Sequence, residues 1–432
     1  MKNVAVVGAG ITGVTTAYAL LCRGYEVTVY DTHRYPAMET SYANGGQLSA
    51  CNAEVWNNWS TIAKGMKWLL RKDAPLLFNF SPTWHKYSWI AEFLLATRHY
   101  RQNTEQTVHL ALMARKRLFE IAEIEGIEFN LSKRGILHFY KSKGDLLAAA
   151  RTNQMLNNAG LERHAVTPAE IRRLEPALKG DLVGGYYTEG DATGDIHRFT
   201  KELAAICEKR GVVFRFGVDV AHASANSKSV HLKWRNSDVL ESVESSHHDA
   251  IVVCAGVHSR RLAGQLGDRI NVYPVKGYSI TVPICDDQNA EAAPQVSLLD
   301  EAAKIVASRL GRDRYRVAGT AEINGFNKDI RADRIRPLVE WVQKHHPSLD
   351  TSGTTPWAGL RPMMPDMMPR ACRGRQTRVF YNTGHGHLGW TLSAATADII
   401  AEQVSQETRK FVRSHRVSLS GTKPLKTASH TE

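Results

Sequence analysis

Cysteine pairs are missing from this sequence: its 432 residues include six cysteines, and no two of them form a C-x-x-C pair. The spacing excludes a disulfide framework and a cysteine-based zinc site, and it is typical of a reducing compartment. No run approaches the ~18 unbroken apolar residues that a membrane-spanning helix needs. The N-terminus does not read as a signal peptide, because its apolar run already forms a strand and a glycine turn. We therefore expect a protein of the cytoplasm.

Positive charge is present without a nucleic-acid motif. The formal net charge is +12, but residues 409–432 contribute six basic residues and a single acidic one. This Ser/Thr-rich stretch predicts a flexible basic tail, and its removal leaves a more modest excess of charge. No recognised nucleic-acid-binding pattern accompanies the charge. We therefore expect no nucleic-acid partner.

The first residues match a dinucleotide-binding fingerprint. Residues 4–13 read as a short buried strand followed by G-x-G-x-x-G, with Gly8, Gly10 and Gly13 at the three glycine positions. These glycines allow a tight turn, a close backbone approach to a pyrophosphate and helix–strand packing, and the following helix N-terminus favours phosphate. A second strand ends at Asp31, where an acidic residue can bond a ribose hydroxyl. The pattern predicts a dinucleotide but does not separate NAD from FAD.

A second glycine-rich turn, Asn382–Trp390, lies near the other end of the chain and precedes a helical pattern over about 391–404. Two glycine turns so far apart indicate a long cofactor held at both ends, and a dinucleotide that ends in a flavin fits this demand. Glycine N–H groups at a helix N-terminus can stabilise the negative charge of a reduced flavin. His385 and His387 spell H-x-H, but no third ligand has suitable spacing, so we expect no metal.

Several longer blocks extend the pattern. Residues 39–49 read ETSYANGGQLS, in which small polar residues and paired glycines make a loop able to pass close to a bulky ligand. From the residue types alone, an ordinary polar loop is the safer interpretation. The further blocks, in order along the chain, are Tyr187–Asp195, Tyr273–Ser279, Arg316–Ile323 and Trp357–Met363. Together with the terminal glycine turn, the chain resembles the D-amino-acid dehydrogenases, within the glycine oxidase, sarcosine oxidase and D-amino-acid oxidase superfamily.

The resemblance implies an α/β fold, α+β overall, in which a Rossmann-like FAD-binding domain is interleaved with an antiparallel-sheet substrate domain. A buried strand over residues 249–256 and alternating strands over 270–326 agree with this architecture. The expected FAD-binding ranges are 1–52, 165–265 and 346–408, the substrate or cap ranges are 53–164 and 266–345, and the tail is 409–432.

The resemblance also implies oxidative deamination of a D-amino acid to the 2-oxo acid and ammonia, by hydride transfer from Cα to flavin N5. The electrons would pass to a quinone or a protein acceptor. The superfamily places its carboxylate-binding arginine at Arg361, and a planar two-pronged donor suits a carboxylate. Tyr278 and His385 are further candidate polar groups of the pocket. The expected cofactor-binding residues are Val7, Gly8, Gly10, Ile11, Thr12, Gly13, Asp31, Ser41, Asn44, Gly45, Gly46, Gln47, Val220, Ala255, Gly256, Gly384, Gly386, His387, Leu388 and Gly389.

The chain also departs from the family pattern. Where the dehydrogenases tend to read T-P-D-G-T-P, residues 364–369 are MPDMMP, so a glycine suited to a positive φ is replaced by methionine. This change bears on the substrate more than on the reaction. Sarcosine oxidases attach their flavin through a cysteine where this chain has Leu360 and Arg361, so we expect noncovalent FAD. Two histidine pairs, 247–248 and 345–346, read as exposed.

Residues 54–101 contain five of the nine tryptophans, interleaved with lysine and arginine. An amphipathic helix over 62–70 would suit contact with the inner face of the cytoplasmic membrane, which the family resemblance favours. A packed aromatic lobe over the flavin is the alternative. Two other functions also stay open: an oxygen-using oxidase or a dehydrogenase of a cyclic or N-substituted amino acid (D-hydroxyproline, proline or sarcosine-like), and a noncatalytic flavin-binding subunit.

Overall fold

The computed structural model describes residues 1–68, 75–236 and 243–420, with side chains described as far as residue 410. The described strands are β1 Asn3–Val7, β2 Glu26–Asp31, β3 Gln47–Leu48, β4 Leu76–Phe78, β5 Ile136–Tyr140, β6 His164–Val166, β7 Gly184–Thr188, β8 Ala192–Thr193, β9 Val213–Phe216, β10 Val218–Ala225, β11 Val230–Asn236, β12 Val243–His248, β13 Ala250–Val253, β14 Tyr273–Pro283, β15 Ser297–Asp300, β16 Ile305–Leu310, β17 Arg314–Ile323, β18 Thr355–Met363, β19 Arg370–Arg373 and β20 Val379–Thr383. The described α-helices are α1 Ile11–Leu21, α2 Trp59–Trp68, α3 Trp84–Leu95, α4 Tyr100–Glu125, α5 Lys143–Asn158, α6 Pro168–Leu174, α7 Ile196–Lys209, α8 Ser259–Gln265, α9 Asp287–Ala292, α10 Ala332–His345 and α11 Gly389–Ser420.

A six-stranded sheet in the order β19-β20-β13-β1-β2-β9 forms the base of the first domain. Its strands are parallel except at the β19–β20 edge. The central strands β1 and β13 are almost entirely buried and apolar, as expected of parallel strands covered on both faces. Helices α1, α7 and α11 pack on one face, and the small sheet β10-β11-β12 together with α8 packs on the other.

A nine-stranded sheet in the order β18-β14-β17-β16-β15-β5-β7-β6, with β4 on β17, forms the second domain. It is antiparallel apart from the pairs β5–β15 and β4–β17, which are parallel. Helix α10 covers one face through a core that includes Tyr278, Tyr315 and Leu338. The opposite face is turned toward the loop between β2 and β3, where the Val306 side chain packs against Gly45.

The two sheets exchange strands more than the sequence suggests. Strands β6, β7 and β18 pair within the nine-stranded sheet, so the ranges 165–265 and 346–408 each supply strands to both sheets. Helix α11 is also longer than the predicted 391–404, because it starts at Gly389 and continues to Ser420. The predicted tail at 409–432 therefore begins inside a helix, and residues 421–432 lie outside the described residues.

Three histidines predicted to be exposed are buried. His248, His345 and His346 each have no more than 6% of their surface accessible. The prediction was wrong because each ring has internal hydrogen-bond partners; His346 Nδ1 faces the Ala177 carbonyl oxygen at 3.1 Å and Nε2 faces the Tyr315 hydroxyl at 3.2 Å. Within the described ranges, no helix has the length and apolar composition needed to cross a membrane.

Candidate functional site

The three fingerprint glycines are explained by different features of the structure. Gly8 has φ +111°, and a Cβ there would lie 2.8 Å from the Cys254 carbonyl carbon; a Cβ on Gly13 would lie 2.8 Å from the Gly8 carbonyl carbon. The protein's own packing therefore requires both glycines. A Cβ on Gly10 would meet only Ser41 Oγ, at an ordinary 3.5 Å. Packing within the protein therefore does not require a glycine at position 10. A close approach of the backbone to a bound pyrophosphate would require one, so this turn fits a dinucleotide.

The N-terminus of α1 is suited to an anion. Its first turn, which includes Thr12, contains no acidic residue, and Gly10 offers no side-chain cap. Ser41 Oγ accepts a hydrogen bond from the Ile11 N–H at 3.1 Å, so the structure brings the 39–49 block to the fingerprint. Asp31 accepts the Ala9 and His33 N–H groups at 2.6 and 2.8 Å. Its contact with a ribose stays a prediction.

Two predicted residues, Ala255 and Gly256, follow β13 at the edge of the first sheet. The Cys254 N–H donates to the Val7 carbonyl oxygen at 2.8 Å, which sets Ala255 and Gly256 beside the fingerprint turn at the carboxyl ends of the parallel strands. Ligands of such sheets bind at this edge. Val220 lies in β10, buried in the core that also holds Val7 and Val253.

Residues 44–47 have internal roles in the structure. A Cβ on Gly45 would lie 2.6 Å from Val306 Cγ2, and one on Gly46 would lie 2.8 Å from Leu310 Cδ2. Asn44 Oδ1 accepts the Gly46 N–H, and Gln47 Nε2 donates to the Leu298 carbonyl oxygen. The paired glycines are thus required by packing against β16 and not only by an approaching ligand, which corrects the reason given for them from sequence.

The terminal glycine turn joins β20 to α11 with two glycines in the left-handed region. Gly384 has φ +76° and Gly386 has φ +59°, and a Cβ on either would press on the methionines Met364 or Met363. Leu388 is buried, and Gly389 begins α11. The turn therefore places the N-terminus of a long helix at the same edge of the sheet.

His387 presents an unused hydrogen-bond acceptor. Its Nε2 lies 3.2 Å from the Asn52 carbonyl oxygen, and its ring stacks on Trp56 with centroids 4.9 Å apart. Burial lowers the pKa of His387 to about 4, with the charges of Arg361 and Lys304 acting in the same direction, so the ring is neutral near pH 7. Because Nε2 faces a carbonyl, it carries the hydrogen. Nδ1 is then a buried acceptor without a partner among the described residues.

His385 already has an internal partner. Its Nε2 lies 3.0 Å from Thr396 Oγ1, one of the residues of α11, and burial lowers the pKa of His385 to about 3. The residue pairs with Met363 in an isolated bridge between the glycine turn and β18. This contact couples the turn to the strand that carries Arg361, and a role of His385 in the pocket stays a prediction.

Arg361 is a half-buried cation with no counter-ion among the described residues. Its Nη1 donates to the Thr320 carbonyl oxygen at 2.9 Å, and no described carboxylate forms an ion pair with it. Burial alone lowers its pKa to about 10, so it stays protonated near pH 7. The guanidinium lies over Gly277 of β14, where a Cβ would come within 2.5 Å of Nη1. A protonated arginine that is desolvated and unpaired is suited to bind an anion.

Tyr278 does not share this site. Alternate residues of a strand point to opposite faces, and Arg361 lies over Gly277, the neighbour of Tyr278. The Tyr278 ring packs in the core beneath α10, and its hydroxyl donates to Glu322 at 2.6 Å. The prediction of Tyr278 as a pocket residue is therefore wrong, because the strand's alternation turns it away.

The methionine segment has a positive φ at the position where the family pattern has a glycine. Met367 has φ +63°, the left-handed conformation that the family's glycine would adopt without strain. Its side chain is buried with Val55, Trp89 and Met363. The thioether therefore fills an apolar space beside β18.

Two residues of this site were missed from the sequence. Gly277 and Thr320 stand in blocks that the resemblance quoted, but neither was given a role. Their involvement depends on strand pairing, which brings β14, β17 and β18 side by side. A glycine in the middle of a long apolar strand was the available signal for Gly277.

Comparisons with known proteins agree with this geometry. The sequence profile of the DAO family, described as FAD dependent oxidoreductase, matches residues 3–403. "D-amino acid dehydrogenase 3" of Mesorhizobium japonicum is 55% identical over 408 residues, which cover 94% of this chain and 98% of the relative. "D-amino acid dehydrogenase" of Paramagnetospirillum magneticum is 40% identical over 411 residues, which cover 93% and 95%. The predicted resemblance is confirmed.

Solved structures share the fold. Glycine oxidase from Geobacillus kaustophilus matches with a TM-score of 0.72 at 19% identity, over 94% of this chain and 95% of that one. L-proline dehydrogenase from P. horikoshii matches with a TM-score of 0.70 at 16% identity, over 94% and 93%. At these identities the likeness is one of fold, and it confirms the predicted fold class.

Proposed function

We propose that this chain, which belongs to the DAO family of FAD-dependent oxidoreductases, oxidatively deaminates a D-amino acid to the 2-oxo acid and ammonia. The name carried by the 55% and 40% identical relatives supports the substrate class. Their similarity extends over more than nine-tenths of this chain, so both domains take part in it.

Arg361 is the observation that carries the proposal. An amino acid brings a carboxylate, and the half-buried guanidinium, which has no carboxylate partner among the described residues, offers a planar pair of N–H donors to it. Binding that carboxylate supplies the missing counter-charge, so the cation's desolvation is offset only when substrate is present. The contact also fixes the Cα relative to the sheet edge where the two glycine turns meet.

The cofactor's part and the chain's part are distinct. FAD held between the two glycine turns would supply the acceptor for a hydride from the substrate Cα. The chain positions the amino acid and excludes water, with Met363, two positions along β18 from Arg361, supplying apolar surface. His387 is neutral near pH 7, so it contributes a hydrogen-bond acceptor and no charge.

Anaerobic flavin reduction tests the proposal. Purified protein is mixed without oxygen with a panel of D- and L-amino acids and proline derivatives, and the oxidised flavin absorbance is followed. We expect loss of the band with D-amino acids. Bleaching only by proline derivatives or by L-amino acids would replace the substrate class, and no bleaching by any of them would contradict the proposal.

Two arginine variants sharpen this test. Arg361→Lys keeps the charge but loses the two-pronged geometry, and we expect its KM to rise about 10- to 100-fold with the flavin spectrum unchanged. Arg370→Lys is the matched control, because Arg370 already pairs with Asp366 at 2.9 Å. Equal KM values for both variants would contradict the role of Arg361.

The FAD is proposed to be noncovalent. Leu360 and Arg361 occupy the positions just before Pro362, and neither side chain is a thiol that could form a covalent bond to a flavin ring. Cys372 lies in β19, paired with Tyr381 at the far edge of the first sheet. Denaturation should release free FAD into the supernatant, and flavin that stays with the precipitated chain would contradict this assignment.

We propose that electrons leave to a quinone or a protein acceptor and that the surface around α2 and α3 contacts the membrane. The tryptophans of this segment divide: Trp56 and Trp89 face the interior, whereas Trp59 is 68% and Trp84 is 83% exposed. Helix α2 buries none of its ten residues and carries lysines. Exposed aromatics beside basic residues suit an anionic lipid interface.

Vesicle sedimentation tests the surface. We expect the full chain to sediment with vesicles that contain anionic lipid, and Trp59→Ser combined with Trp84→Ser to remove most of the binding. Leu147→Ser, at a 73% exposed position of α5, is the matched control. Equal binding by both variants would contradict the assignment. Added quinone should reoxidise the bleached flavin, and efficient reoxidation by oxygen with peroxide release would instead favour an oxidase.

A further inference from the structure

A β-bulge lies beside the carboxylate-binding arginine. The pairing of β14 with β17 shifts between Lys276 and Tyr278, so that two residues of β17, Thr320 and Ala321, stand opposite Gly277 alone. A bulge of this kind bends the strand and re-aims its side chains, and bulges recur next to binding sites. The irregularity therefore falls where the strand passes the guanidinium.

Thr320 takes a conformation that its side chain disfavours. Its φ is +62°, in the left-handed region. A β-branched residue there is a true outlier, and glycine is the residue that takes this position of a bulge without strain. The chain has a glycine at the adjacent position, Gly319, which is not in that region. A bulge needed only for the sheet would be served better by glycine at 320.

The hydroxyl of Thr320 adds a second unfavourable feature. Its Oγ1 is buried and has no hydrogen-bond partner among the described residues. Buried hydroxyls are normally paired, so an unpaired one points to a partner that the protein itself does not supply. The backbone carbonyl of the same residue accepts the hydrogen bond from Arg361 Nη1 at 2.9 Å, so the residue that carries the unpaired hydroxyl is in direct contact with the guanidinium.

We propose that Thr320 is a second substrate-binding residue, whose hydroxyl donates a hydrogen bond to the carboxylate held by Arg361. The inference rests on the proposed function, because the ligand is the carboxylate of the amino acid. The residue is half-buried, so rotation about χ1 presents the hydroxyl to a bound ligand. A carboxylate has lone pairs left after a two-pronged contact with arginine, and the hydroxyl uses one of them. The left-handed backbone fixes the direction of the Cα–Cβ bond, and rotation about χ1 then aims the hydroxyl.

Three variants of the holoenzyme test this role. Thr320→Ser keeps the hydroxyl, Thr320→Val keeps the shape without it, and Thr320→Gly removes both the hydroxyl and the strain. The dissociation constants for a D-amino acid and for the amine-free carboxylate propionate are measured from the flavin absorbance, together with the thermal midpoint.

We expect Thr320→Val to weaken both ligands about 10-fold, because a hydrogen bond to a charged group is lost. Thr320→Ser should stay within about 3-fold of the unmodified chain, and Thr320→Gly should raise the thermal midpoint while weakening both ligands as Thr320→Val does. Unchanged binding in Thr320→Val, or a more stable Thr320→Gly with full affinity, would overturn the inference alone. If the unmodified chain binds neither ligand, the proposed function fails and the inference fails with it.

Discussion

Gly277→Ala is the most direct perturbation of the carboxylate site. The glycine lies in β14 opposite Gly359 of β18, with the Arg361 guanidinium over its Cα. A methyl group at this position would come within 2.5 Å of Nη1 and closer still to Cζ and Nη2. Ordinary contact begins at 3.4 Å, so the guanidinium must retreat by about 1 Å.

A shift of this size has a calculable consequence. It would lengthen the 2.9 Å bond between Nη1 and the Thr320 carbonyl oxygen beyond hydrogen-bond range. Because a misplacement of about 1 Å can cost about 10²-fold in rate, we expect kcat/KM to fall about 100-fold, which is about 2.7 kcal/mol. The clash is with the far end of a flexible side chain, so the free energy of unfolding should change by less than about 1 kcal/mol.

The assay compares kcat/KM for a D-amino acid with the thermal midpoint of the same preparation. Gly264→Ala is the matched control, because a Cβ at that position of α8 meets nothing within 4 Å. The reasoning would be refuted if Gly277→Ala kept its kcat/KM, since Arg361 would then act from a different position. It would also be refuted if both variants lost activity equally.

Three further outcomes follow from the same geometry. Gly10→Ala should leave the thermal midpoint of the apoprotein unchanged, because a Cβ at this position makes only an ordinary contact within the protein. It should raise the FAD dissociation constant about 10-fold or more, because the Cβ would obstruct a bound pyrophosphate, and retained FAD affinity would contradict this. Burial lowers the pKa of His346 to about 3, whereas the pKa in the unfolded chain is about 6.5. As the pH falls below 6.5 the unfolded chain binds a proton that the folded chain does not, so the free energy of unfolding is highest above pH 6.5 and decreases as the pH falls toward 3. We expect a loss of about 2 kcal/mol by pH 5 from this group, and His346→Gln should flatten the pH dependence of urea unfolding; an unchanged slope would count against it. Met367→Gly relieves the strain of a positive φ, worth about 1 kcal/mol, but removes a buried side chain worth about 2–3 kcal/mol. We therefore expect the free energy of unfolding, measured with urea, to fall by about 1–2 kcal/mol. A rise would show that the strain outweighs the burial.

The sequence alone determined the features whose signals are contiguous. The strand, glycine turn and helix of residues 3–21 are adjacent along the chain, so their pattern predicts both the local structure and the dinucleotide. The terminal glycine turn and the helix that follows it are equally local. Arg361 was found through the family motif around it, and the structure supplies the physical reason, because the guanidinium is partly desolvated and meets no carboxylate of the described residues.

The tertiary structure decided what depends on strands distant in the sequence. Only the pairing of β14 with β17 and β18 sets Gly277 and Thr320 beside Arg361, and the same pairing turns Tyr278 to the other face. The burial of His346 depends on contacts made across the second domain. A strand's alternation is visible in sequence, but which face meets the ligand is fixed by packing between sheets, and a bulge that shifts the register leaves no local signal.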